Sequence, residues 1–126
     1  MVRGRDFQGA AFPRSRSDGY DPSDFAIRRA RGNLAERGLA DAAFHQRSAG
    51  QLPGEPAFGL VLTFDCLHDM PRPDEAARAI GRCLAGDGTW LVKEIRARET
   101  WQDNLAHPVA AMLYGNSVAS CLMTRR

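Results

Sequence analysis

Apolar residues gather in a few runs along this chain, and the clearest is "FGLVLTF" (58–64), where five of seven positions are apolar. The run does not alternate with polar residues, so it predicts a strand covered on both faces, as in a parallel sheet. A second run, "TWLVKEI" (89–95), predicts another such strand. Helical spacing governs two segments between the runs. Ile27, Ala30 and Leu34 recur on one face of a helix that Ser23 caps, with Asp24 in its first turn and Gly38 at its end. Ala76, Ala77, Ile80 and Leu84 form the face of a second helix, opened by Pro73, Asp74 and Glu75 and closed by a C-terminal cap at Gly86. Weaker signals mark a short strand over 16–21, another over 42–48, and a last helix opened by Pro108 that carries Val109, Met112 and Leu113. Trp90 and Met112 read as core. A polar loop, "RARETWQDNLAH" (96–107), precedes the last helix. Strands and helices therefore alternate, which is the order that gives parallel sheets with crossover helices.

Composition narrows the class. The chain has 126 residues, is 44% hydrophobic and carries a net charge of +2, which reads as globular and soluble. Its basic residues, all arginine except Lys93, are scattered without a block, so nucleic acid is not an expected partner. No stretch has the 18 or so apolar residues of a membrane span. Cys66, Cys83 and Cys121 are odd in number and widely spaced, which indicates neither a disulfide framework nor a metal site and fits a reduced, cytoplasmic setting.

The candidate chemistry lies where the strand over 58–64 ends. Asp65, Cys66, His68 and Asp69 follow it within five positions, and in an open parallel sheet ligands bind at the carboxyl ends of strands. Asp21 stands at the end of the first short strand, just before a helix. From there a carboxylate either accepts the ribose hydroxyls of an adenine nucleotide or serves as a helix-entry residue. His68 is either a general base or a hydrogen-bonded loop residue, and Cys66 reads as a small apolar side chain rather than a nucleophile.

"FDCLHDM" (64–70), "DGTWLVKE" (87–94) and "DNL" (103–105) occur in the order seen in a bacterial subgroup of class I S-adenosylmethionine-dependent methyltransferases, and the chain resembles that family over about residues 12–123. The resemblance implies a partial Rossmann-like α/β fold over 16–126, after an irregular segment at 1–15. It implies S-adenosylmethionine as cofactor, bound by Gly19, Asp21, Ser48, Ala49, Phe64 and Asp65, with Asp21 at the ribose, Ser48 and Ala49 at the adenine, and Phe64 and Asp65 beside the methionine moiety. His68 or Asp69 would remove a proton from a small-molecule methyl acceptor. The "DNL" element would cap the last helix through Asp103 or Asn104, or reach the acceptor, and Trp101 is a further candidate for contact with it.

Several features depart from the family. Its glycine-rich first strand and turn are not found in "MVRGRDFQG", Ser48 replaces a carboxylate, Gly59 replaces an acidic residue, and the C-terminal hairpin is missing, so the domain reads as truncated at both ends. In the family the missing strand lies between the strands ending at Asp21 and Phe64. Either these close up, or the chain is poorly ordered, or a homo-oligomer or partner chain covers the edges. The alternative to catalysis is accordingly a noncatalytic interaction module derived from a methyltransferase.

Overall fold

A computed structural model describes residues 14–121, so most of the irregular segment expected at 1–15 lies outside the described residues. The chain divides between Gly54 and Glu55 into two compact units. The four strands among the described residues form two two-stranded parallel sheets flanked by helices, a partial Rossmann-like arrangement.

The first unit is a strand–helix–strand. β1 (Ser17–Asp21) pairs in parallel with β2 (Ala42–Gln46), in a register running from Ser17 opposite Ala42 to Asp21 opposite Gln46. Propensity alone does not make β1 a strand, since Tyr20 is its one apolar side chain. It is held by the ladder to β2 and by side chains across it. The rings of Tyr20 and His45 stack with centroids 4.8 Å apart, and His45 Nε2 lies 2.7 Å from Asp18 Oδ1. α1 (Asp24–Glu36) joins the two strands. Ser23 Oγ accepts the Ala26 N–H at 3.2 Å, as expected of the cap. At the other end Gly38 takes a φ of 63°, with Gly38 N donating to Ala35 O and Leu39 N to Leu34 O. That pair of bonds closes the helix in a left-handed turn that glycine adopts at little cost. Ile27, Ala30 and Phe44 form the buried core, with Leu34 packed against it. Burying side chains as large as Ile27 and Phe44 contributes roughly 1.5–3 kcal/mol each.

The second unit holds β3 (Phe58–Phe64), α2 (Pro73–Cys83), β4 (Leu84–Lys93), α3 (Trp101–Asn104) and α4 (Ala110–Asn116), with a π-helical continuation over Ser117–Cys121. β3 and β4 pair in parallel from Leu60 opposite Thr89 to Phe64 opposite Lys93, and the register shifts between Phe58 and Leu60. Trp90 Nε1 donates to Thr63 Oγ1 at 3.0 Å, which satisfies the one buried polar side chain among the described residues.

Four expectations need correction here. α2 ends at Cys83 rather than at a Gly86 cap, because β4 starts at Leu84 and takes "AGD" into its bulge. The buried stripe of α2 is consequently Ala76, Ala79, Ile80 and Cys83, and Leu84 belongs to the strand. β3 is not covered on both faces, since Leu60 and Phe64, like Leu91 and Val92 of β4, are about half exposed. In α4 the buried residue is Ala110, while Met112 is 58% exposed and is not core. The polar loop also contains the single turn of α3, capped by Thr100, whose Oγ1 accepts the Asp103 N–H.

Candidate functional site

Each unit carries expected site residues at the carboxyl end of its strands. In the first unit, Asp21 terminates β1 half-buried, and its Oδ1 accepts the Ser23 N–H at 2.8 Å. This is the helix-entry role. Its second oxygen has no hydrogen-bond partner among the described residues, so the same carboxylate keeps an acceptor at the strand end. Ser48 and Ala49 follow β2, where Gln51 Oε1 accepts from Ser48 N at 3.0 Å and from Ser48 Oγ at 3.2 Å. The turn is therefore braced by its own residues. Gly19 lies buried in the middle of β1, opposite Phe44. Asp21, Ser48 and Ala49 thus share one strand edge, and Gly19 sits two residues back from it.

The second unit concentrates more chemistry. After Phe64 the ladder takes one further bond, Asp65 N to Lys93 O at 2.8 Å, and the backbone then turns sharply with Asp65 at a φ of 49°. That left-handed conformation costs a residue with a β-carbon about 1–2 kcal/mol, and aspartate tolerates it better than most. Lys93 Nζ reaches Asp65 Oδ2 at 2.5 Å. The turn delivers residues 66–69 to the end of β4, where Glu94 receives them. Glu94 Oε1 accepts the backbone N–H groups of Cys66 (3.0 Å) and Leu67 (2.7 Å), and Oε2 lies 2.6 Å from His68 Nδ1.

One carboxylate thus holds the whole "CLH" turn. Partial burial pushes the Glu94 carboxyl up, but the hydrogen bonds from His68, Leu67 and Cys66 outweigh that and hold it below the ordinary carboxylate range. Because a carboxylate only accepts, Nδ1 of His68 carries a proton toward Glu94. Nε2 stands 3.5 Å from Asp69 Oδ1, which is buried and lacks a hydrogen-bond partner. His68 and Asp69 are therefore brought together, with Glu94 as the residue that orients the imidazole.

Sequence reasoning missed Glu94. The signal was present, since "KE" ends the apolar run of β4 just as "DC" ends that of β3, but the rule about strand ends was applied to β1 and β3 and not to β4.

Neither Asp103 nor Asn104 caps the last helix, whose N-cap position is Val109. Asp103 belongs to the cap of α3, and Asn104 ties the loop to itself: Oδ1 accepts from Arg98 N at 2.8 Å, and Nδ2 donates to Arg98 O at 3.0 Å and Thr100 O at 2.6 Å. Trp101 is 60% exposed. Cys83 packs inside α2, where burial pushes its thiol up and makes it a poor nucleophile. Among the described residues no group of His, Cys, Asp and Glu is arranged to hold a metal, and no helix is long and apolar enough to cross a membrane.

None of the curated proteins matches the chain significantly. Among solved structures it is similar to the YcgJ protein from Bacillus subtilis, with a TM-score of 0.69 and 23% identity over 86% of this chain and 44% of that one. The chain thus spans less than half the length of that relative, and at this identity the likeness speaks for the fold. A family model described as a methyltransferase domain matches residues 4–122. That match covers both strand-end clusters, and the chain belongs to the methyltransferase domain family.

Proposed function

We propose that the chain takes part in S-adenosylmethionine-dependent methyl transfer to a small-molecule acceptor, with His68 as the general base. The observation that carries the reading is the Glu94–His68 pair at the carboxyl ends of β3 and β4 in a member of a methyltransferase family. The family generally uses S-adenosylmethionine, which supplies an electrophilic methyl group on sulfonium. The first unit fits the ribose of such a cofactor in one respect: Asp21 ends a parallel strand with a carboxylate oxygen that takes no internal hydrogen bond. Ser48 and Ala49 would lie at the adenine, Gly19 would leave room beside the ribose, and the half-exposed ring of Phe64 and the carboxylate of Asp65 are the groups assigned to the methionine moiety.

His68 would accept the proton of an acceptor hydroxyl or amine at Nε2, while Glu94 keeps Nδ1 protonated and the ring in place. Where the acceptor is an amine, the orphaned Asp69 Oδ1 would accept its second N–H. Setting the acceptor's nucleophilic atom is the larger part of the work, since orientation supplies much of the rate in such transfers. The test is calorimetric titration of the 126-residue chain with S-adenosylmethionine, with circular dichroism on the same sample. Micromolar binding that weakens in Asp21→Ala supports the reading, and a folded chain that binds no cofactor overturns it.

A second reading has one observation in its favour. The ribbon of β3 and β4 leaves Leu60, Phe64, Leu91 and Val92 about half exposed, which suits an interaction surface covered by a second copy or another chain. Concentration-dependent sedimentation together with absent cofactor binding would favour it.

A further inference from the structure

The segment after Glu94 encloses a concavity of about 380 Å³ whose lining includes Arg96, Arg98, Asp103, Asn104 and His107. Its donors and acceptors are unequally available. Asn104 spends both ends of its amide on the backbone at Arg98 and Thr100, and Asp103 Oδ2 accepts from Thr100 Oγ1 at 2.6 Å. His107 Nδ1 accepts the Val109 N–H at 3.3 Å, so in the neutral ring the proton sits on Nε2 as a donor. Neither Arg96 nor Arg98 has an ion-pair partner among the described residues. The lining therefore sets Arg96, Arg98 and His107 against one carboxylate, that of Asp103, on a loop that Asn104 holds in shape. The excess of donors and of positive charge over this one carboxylate favours an oxyanion, and guanidinium suits carboxylate and phosphate because it can bind them bidentately.

We propose that this concavity is an oxyanion subsite, in which Arg96, Arg98 and His107 hold a carboxylate or phosphate group of the methyl acceptor. The inference rests on the methyltransferase reading for the word acceptor, and on the geometry alone for the anion. Its position suits the role. Arg96 is two residues beyond Glu94, which an extended chain spans in at most about 7 Å, so the concavity begins close along the chain to the carboxylate that holds His68. A volume of this size accommodates a small ring or a short chain.

The experiment uses the full chain without cofactor and three probes of one shape: phenyl phosphate, benzoate and neutral benzamide. Binding is read by calorimetry and by the amide resonances of residues 96–108. Both anions are expected to bind and benzamide to fail. Whichever anion binds more tightly identifies the group the site is built for. Arg96→Gln with Arg98→Gln should weaken anion binding on the order of tenfold, the scale of two exposed charge pairs, with further loss as salt is raised. Arg29→Gln, an exposed arginine of α1, should leave it unchanged. Equal binding of benzamide, equal binding by the double variant, or no binding of either anion overturns the subsite. Cofactor binding is measured separately: anion binding without it sinks only the methyltransferase reading, and cofactor binding without anion binding sinks only the subsite.

Discussion

Replacing Glu94 by glutamine changes one atom of the side chain and should change where a proton sits. The amide keeps its carbonyl oxygen for Cys66 N and Leu67 N, but those two bonds lose their charge assistance. At about 1 kcal/mol each, discounted because the side chain is 23% exposed, the loss is roughly 1–2 kcal/mol. The larger effect is at His68. An amide N–H now confronts Nδ1–H at 2.6 Å, and two donors cannot share that position. Turning the amide over would strip both backbone N–H groups of their acceptor. The ring instead moves its proton to Nε2, where the orphaned Asp69 Oδ1 at 3.5 Å can receive it. Long-range proton–nitrogen NMR on the neutral ring reads this directly, with Nδ1 protonated in the parent and Nε2 in Glu94→Gln. On the proposed reading of His68 as base, occupation of Nε2 should lower methyl transfer by about 10²–10⁴-fold, the usual contribution of general-base catalysis. The same tautomer in both proteins would refute the reasoning, as would an unchanged urea midpoint.

Other expected outcomes follow from the same geometry. Glu94 is held ionised by three donors in the folded chain and by none in the unfolded one, so its contribution to stability is complete above the ordinary glutamate value of about 4.3 and is lost as pH falls through its lowered value. Urea midpoints measured from neutral pH downward should show this decline, and Glu94→Gln should flatten it. Gly88→Ala should destabilise by about 1–3 kcal/mol, because the new β-carbon would lie 2.9 Å from Leu84 Cδ2 and 3.0 Å from the carbonyl oxygens of Ala85 and Phe58; an unchanged midpoint would show that the bulge of β4 yields easily. Asn104→Ala removes three bonds to the backbone and should raise hydrogen exchange over residues 96–108 without a matching loss of global stability. Uniform protection of that segment in the variant would deny Asn104 its role.

Local chemistry carried much of the reading. Ser23, Asp24 and Gly38 mark the ends of α1 because caps act on neighbours in sequence, and Ile27, Ala30 and Leu34 share a face because helical geometry fixes their spacing. Asp21, Asp65, His68 and Asp69 were visible as candidates because polar groups crowd the ends of strands. The failures share a cause. Leu60, Phe64 and Met112 are apolar and were assigned to cover that the structure does not give them, and apolar character says what a side chain favours, not what lies over it. Gly86 is a plausible cap by composition, but pairing with β3 recruits Leu84 into the strand first.

Glu94 marks the boundary most clearly. Twenty-six positions separate it from His68, and no rule of spacing links them. The sequence by itself determined that strands and helices alternate, where most of them begin and end, and which polar residues stand at strand ends. Only the tertiary structure decided that β4 runs parallel to β3 in the register that carries Glu94 beneath the "CLH" turn, so that one carboxylate fixes the tautomer of one imidazole. That follows from the physics of the two kinds of information: capping and periodicity are set by adjacent residues, whereas a hydrogen bond between strand ends exists only once the ladder between the strands has fixed their register.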